Sequence, residues 1–162
     1  MIYSNSAVRR QNRLLEEQEA KALLLKGEYG VLSMVDSDGR AYGIPISYAW
    51  DGEGSLYLHG ALEGRKLRCL SQNNPVSFCV VGHTQVLPQK FSTEYESIIL
   101  EGTAIMDLPV EEKLKGLICL VEKYSPEFKE KGLQYAEGSQ HETVVIRLDI
   151  EHWSGKCRIS KR

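Results

Sequence analysis

Ser55–Leu70, SLYLHGALEGRKLRCL, is the stretch on which the reading of the fold turns. Ser55 to His59 alternates small, apolar and aromatic residues, which predicts a short strand. Gly60 and Gly64 bracket a turn, and Arg65, Lys66, Leu67 and Leu70 begin a helical pattern. A strand bending through glycine into a helix that opens on Arg-Lys has the parts of a phosphate cradle. The first helical turn has unpaired amides and a partial positive charge. Arg65 adds a bidentate fork, Lys66 a point charge, and the glycines admit close approach of an anion. The same residues also suit an ordinary solvated helix start, and at this point both readings are open. Neither GxxxxGK[ST] nor GxGxxG occurs.

The chain around this stretch is 162 residues long, 42% apolar and 26% charged, so one soluble globular domain spanning 1–162 is expected. A net charge of −2 gives no reason to expect nucleic acid or an anionic membrane as partner. No apolar run approaches the roughly 20 residues that span a bilayer. The start, MIYSNSAVRRQN, lacks an apolar signal core, which points to the cytoplasm. Cys69, Cys79, Cys119 and Cys157 form no CxxC and are expected as reduced, buried thiols. Residues 1–13 read as a solvated or partner-contacting arm.

Before the central stretch, Glu16–Lys26 reads as an amphipathic helix ending at Gly27, with Leu15, Ala22, Leu23 and Leu25 available to a core. Tyr29–Asp36 is a strand, Ser37-Asp38-Gly39 a hairpin turn, and Tyr42–Trp50 the next strand. There Ile44, Ile46, Tyr48 and Trp50 share one face, and Pro45, Ser47 and Ala49 the other. That second face suits either a flat ligand or a crowded neighbouring strand. Asp51-Gly52-Glu53-Gly54 turns into the central strand, giving an antiparallel meander. Beyond it, Val76–Val81 reads as a buried strand, 82–96 as a long polar loop, and Ser97–Asp107 as a strand in which Gly102 marks a bulge or close backbone contact. Asp107 and Pro109 open a helix with an apolar stripe of Leu114, Leu117, Ile118 and Val121. Ser125-Pro126 begins a short helical turn, Gly132–Gln140 a polar connection, and Thr143–Trp153 a clean strand. Six strands with intervening helices predict a small mixed α+β barrel.

The four histidines, His59, His83, His141 and His152, form no HxxxH or HExxH, so no metal site is expected. No GxSxG elbow supports a hydrolase. His59 stands apart because it ends the central strand beside the candidate anion site; a backbone-satisfied structural histidine is the competing reading.

The run LYLHGALEGRK resembles the signature of the flavin-binding split β-barrels related to pyridoxamine 5′-phosphate oxidase. Within them it is most similar to the Nim-type 5-nitroimidazole resistance proteins, and the likeness runs from about Glu16 to Lys156. It implies a six-stranded antiparallel Greek-key split barrel of the FMN-binding type, assembled as a homodimer with its sites at the interface. By this resemblance Arg65 and Lys66, next to Gly64, would hold the flavin phosphate. Ile46, Ser47 and Tyr48 would line the ring or ribityl chain, and His59, Gly60 and Ala61 would pass along the ring. Tyr95 and Ser97 match a Y-x-S-V pattern, and Trp153 and Lys156 a C-terminal Gly-Lys pattern that would reach flavin from the second subunit. His59 becomes the candidate catalytic residue, contacting or protonating a small-molecule substrate. The tail GKCRISKR lacks the Arg-Leu segment of authentic pyridoxamine 5′-phosphate oxidases, which argues against vitamin B6 oxidation. The implied function is an FMN-dependent nitroimidazole or nitroaromatic reductase. A non-catalytic flavin-binding or sensing protein is the alternative, with FAD, haem or a deazaflavin as other occupants of such a barrel.

Overall fold

The computed structural model describes residues 1–139 and 141–159. In chain order the elements are β1 (Ile2–Tyr3), α1 (Glu17–Lys26), β2 (Gly30–Val35), β3 (Ala41–Ile46), β4 (Ala49–Trp50), β5 (Ser55–Gly60), α2 (Arg65–Gln72), β6 (Pro75–Leu87), β7 (Ser92–Ile105), α3 (Val110–Tyr124), α4 (Lys129–Ser139) and β8 (Val144–Arg158). β2, β3, β5, β6, β7 and β8 are the expected six strands; β1 and β4 are two-residue additions.

The strands lie in the order β3-β2-β6-β7-β8-β5-β4, with every neighbouring pair antiparallel, and β1 runs parallel beside β8. β3 and β4 are thus opposite ends of the sheet path, yet only Ser47 and Tyr48 separate them in the chain. The sheet curls until its two edges are joined by that bend and not by a ladder. The fold is an α+β split barrel.

Alternation along the strands fills its interior. Leu32, Leu56, Leu58, Phe78, Val80, Ile98, Leu100, Ile146 and Leu148 are fully buried in one cluster, each stabilising by roughly 1.5–3 kcal/mol. Leu23 and Leu24 of α1 close one end of it. A second cluster lies outside the barrel, where α3 and α4 bring Leu117, Leu120 and Ala136 onto Tyr57 and Val145. Gly116 lets α3 approach, since a Cβ there would stand 2.6 Å from the Tyr57 ring. Gly102 sits at the β7/β8 register shift, and a Cβ on it would run into the carbonyl oxygen of Asp149; the expected bulge with close backbone contact is found.

Several expectations need correction. Tyr42–Trp50 is not one strand: β3 pairs with β2, the chain bends at Ser47–Tyr48, and β4 pairs with β5. Residues 82–96 form no loop. They continue β6 and lead β7 as a hairpin arm, with a 3₁₀ turn at Pro88–Lys90. Val86, Thr93 and Tyr95 favour strand, and the arm reads as polar because much of it meets solvent. Gly132–Ser139 lies within α4, whereas Gln140 falls outside the described residues. On α3 the buried face is Gly116, Leu117 and Leu120, rotated from the expected stripe by the need to seat Gly116 on Tyr57. Gly27 does cap α1, but at φ −58, and its value is space: a Cβ would meet Tyr48 Oη and Val80 Cγ1, each at 2.6 Å. Among the described residues no helix is long and apolar enough to cross a membrane.

Candidate functional site

The turn from β5 into α2 is built as its residues suggest. Gly64 is the N-cap of α2 at φ 149, a backbone conformation that only glycine enters readily. Arg68 donates the first intrahelical hydrogen bond, to the Gly64 carbonyl at 3.2 Å. The amides of Arg65, Lys66 and Leu67 precede that bond, no side chain caps the helix, and its first turn contains no acidic residue. This helix start therefore presents donors and partial positive charge with nothing of its own to neutralise them.

The two cations lie differently. Lys66 folds back over the turn, donating to the His59 carbonyl at 3.4 Å, and a Cβ on Gly60 would stand 2.5 Å from its Nζ. A side chain on Gly60 would have to displace the ammonium from this position. That bond is long and weak, and partial burial lowers the Lys66 pKa. Arg65 turns to Asp36, its Nη2 donating to Oδ2 at 3.0 Å, while its guanidinium lies 4.1 Å over the Tyr42 ring. Asp36 also accepts the amides of Asp38 and Arg40, and these contacts, Arg40 first, hold its carboxyl below the usual range. Sequence reasoning missed Asp36 and Tyr42 as partners of Arg65, since DSDG reads as a hairpin turn and nothing more.

His59 is exposed at the end of β5, on the strand face that also bears Tyr57. Desolvation first, then the Lys66 charge, lowers its pKa. The imidazole is therefore neutral near pH 7, suited to donating a hydrogen bond more than to releasing a proton.

The remaining expected residues divide into groups. Ile46 packs half-buried against the core, Ser47 is exposed at the bend, and Ala61 is exposed in the turn. The Tyr48 ring lies wholly in the core, its hydroxyl donating to the Leu24 carbonyl at 2.7 Å. Trp153 is also a core residue, edge-on to Tyr3 at 4.7 Å. Within this chain, then, the Tyr48 ring is no surface against which a ligand could lie, whereas Trp153 is among the residues lining a cavity of about 400 Å³. Tyr95, Ser97 and Lys156 do assemble: Ser97 faces Lys156 across the β7/β8 ladder, and the Lys156 ammonium is 5.7 Å from the Tyr95 ring. This group is far from His59–Lys66. Gly60 pairs with Val144, at one end of β8, and Lys156 lies near the other end. At about 3.3 Å per residue the interval from 144 to 156 is roughly 40 Å of extended chain.

A cavity of about 620 Å³ is elsewhere again, between α1 and the bulged part of β6, with Leu23, Gly27, Gly82 and Glu96 among its walls. A smaller one of about 510 Å³ opens beside Ser47, with Lys123 and Tyr124 in its wall. Neither residue was singled out by sequence reasoning.

The fold and this turn define a split-barrel protein with a cationic, uncapped helix start. The chain belongs to the pyridoxamine 5′-phosphate oxidase family of flavin-binding barrels, whose model matches residues 16–157. Solved structures share the fold. A candidate 5-nitroimidazole antibiotic resistance protein from Bacteroides thetaiotaomicron is 20% identical, over 90% of this chain and 86% of its own, with a TM-score of 0.72. A protein from Mycobacterium smegmatis described as binding FAD and haem is 22% identical, over 88% of this chain and 71% of its own, with a TM-score of 0.72. A FAD-binding protein from Mesorhizobium loti is 24% identical, over 91% and 98%, with a TM-score of 0.64. A sequence comparison with curated proteins gives no match.

Proposed function

We propose that this chain binds FMN at the β5–α2 turn and serves as a Nim-like reductase of nitroaromatic compounds. The observation that carries the reading is the uncapped start of α2, where Gly64 adopts φ 149 and Lys66 Nζ lies against Gly60 with one long carbonyl contact. A phosphate there would gain amide donors, the helix dipole and Lys66. Arg65, whose side chain is exposed, would have to turn from Asp36 or bridge it to the anion, and solvent screening keeps the cost of that change small.

Flavin, when bound, would supply the electrons for nitro reduction. His59 would contribute a neutral imidazole N–H to an oxygen of the substrate. Ser47 and the Gly60–Ala61 backbone would border the ring system. Ala61 to Glu63 are exposed, so the turn does not fence off the adenylate of FAD, and mass analysis of released cofactor decides between the two.

A second copy of the chain completes the reading. His59–Lys66 and Tyr95–Ser97–Lys156 are too far apart along β8 to serve one ligand within a protomer. The outer sheet face also carries a cross-strand row, Pro45–Val31–Cys79–Ile99–Ser154, in which Val31 and Ile99 are exposed, with Val35 and Val81 exposed nearby. Pairing these faces would cover apolar surface and bring the Lys156 group of one protomer towards the helix start of its partner.

The test is anaerobic reduction of the coloured protein followed by addition of a 5-nitroimidazole. Reoxidation of the flavin with loss of the nitro absorbance is expected. A flavin that stays reduced would leave a binding or sensing protein.

A further inference from the structure

We propose that the cavity between the ends of α1 and α3 binds a small aromatic anion whose charge pairs with Lys123. The cavity measures about 510 Å³, in the range of small-molecule sites. Three of its walls are large apolar side chains left open to solvent: Leu25 at 56%, Tyr29 at 58% and Tyr124 at 41% exposure. Scattered exposed apolar residues need no explanation, but three facing one hollow form a surface for an apolar body.

Lys123 supplies the polar anchor. Its ammonium is buried 3.5 Å over the centre of the Tyr48 ring and 5.5 Å from that of Tyr124, and among the described residues it has no hydrogen-bond partner. One ring face can take part of the charge of an ammonium, while the remaining N–H groups need acceptors. Among the described residues Lys123 makes no ion pair; the other charged residues lining the cavity, Lys26 and Glu28, are exposed to solvent. Burial lowers the pKa of the amine to about 8, because desolvation disfavours its charged form. A buried cation without an acceptor, beside an apolar hollow, is complementary to a planar body bearing one carboxylate.

The position of the cavity gives the inference consequence. Ser47, at the bend joining the two sheet edges, lines it. Tyr124 fixes that bend: its hydroxyl accepts the Tyr48 amide at 2.9 Å and faces the carbonyls of Glu28 and Tyr48. A ligand here would touch the residue proposed to border the flavin ring, yet the site needs no flavin to exist.

The probe is sodium benzoate, with benzyl alcohol as the uncharged control, titrated calorimetrically into the protein with and without bound flavin. Saturable benzoate binding is expected in both forms, with benzyl alcohol at least ~10-fold weaker. Lys123→Met should abolish that preference, and Tyr29→Ala, at an exposed position, should weaken both ligands several-fold. The Met variant is expected to fold, because it replaces an unpartnered buried charge. Absence of benzoate binding, a preference that survives Lys123→Met, or benzoate binding lost on flavin loading would each overturn a separate anion site.

Discussion

Lys66 and Lys123 are the same residue in two answers to burial. Both ammonium groups are partly withdrawn from water, and in both desolvation lowers the pKa. Lys66 stands at a helix start, over a glycine, with one backbone carbonyl in reach. Lys123 stands at the end of a helix, over an aromatic face, with no acceptor among the described residues. The first is held beside free amides that share its attraction for an anion. The second has only ring faces beside it, and burial lowers its pKa to about 8. Partial burial of a lysine is therefore a weak sign of function; what matters is which groups converge on the same point.

The largest expected effect separates the two places. Arg65→Ala with Lys66→Ala should weaken FMN about 100-fold or more, since two charge-assisted contacts are worth about 3 kcal/mol or more together. The melting temperature should barely move, because the Arg65–Asp36 pair is exposed. Unchanged FMN affinity would make Lys66 as solitary as Lys123.

Tyr124→Phe comes next. It strips the acceptor from the Tyr48 amide, at a cost of about 1–3 kcal/mol, read as a fall in melting temperature of about 2–4 °C per kcal/mol. An unchanged melting temperature would show that the bend beside Lys123 holds itself.

Lys123→Met should then stabilise the protein at neutral pH by about 1 kcal/mol. The folded amine titrates at about 8 against an ordinary 10.5. Between these values the unfolded chain binds the extra proton, so the wild type gains stability as pH rises through that window. Lys66 shifts the same way, and the raised pKa values of Tyr48 and Tyr57 act oppositely above about pH 10. The difference between variant and wild type isolates Lys123, and it should shrink from pH 8 towards 10.5. A difference independent of pH would mean the amine is not desolvated.

The smallest effect is Asp36→Asn. Freeing Arg65 from its carboxylate should tighten FMN a few-fold, and weaker binding would show that Asp36 positions the guanidinium for the ligand.

Much of this fold was legible. Alternation in GVLSMV and VVIRLDI, the glycine turns and the GRK helix start give six strands and the central turn, because local pattern decides them. The hairpin arm was not, since a strand solvated on both faces has no alternation to read. The bend at Ser47–Tyr48 was hidden because apolar alternation runs on through a strand that changes partners. At the central turn, the helix start at Arg65-Lys66 was legible from the glycines before it. Arg65's pairing with Asp36 and Tyr42 was not, as it joins positions far apart in sequence. Lys123 looked like an ordinary cation in the last turn of a helix, where such charges usually lie in water; only packing against Tyr48 sets it apart.

The most direct measurement compares FMN with riboflavin, which lacks only the phosphate, on the wild type and on the Arg65→Ala, Lys66→Ala variant. The wild type is expected to prefer FMN by about 100-fold or more, and the variant to bind the two nearly alike. Equal affinity of the wild type for both flavins, or a preference that survives in the variant, would contradict it.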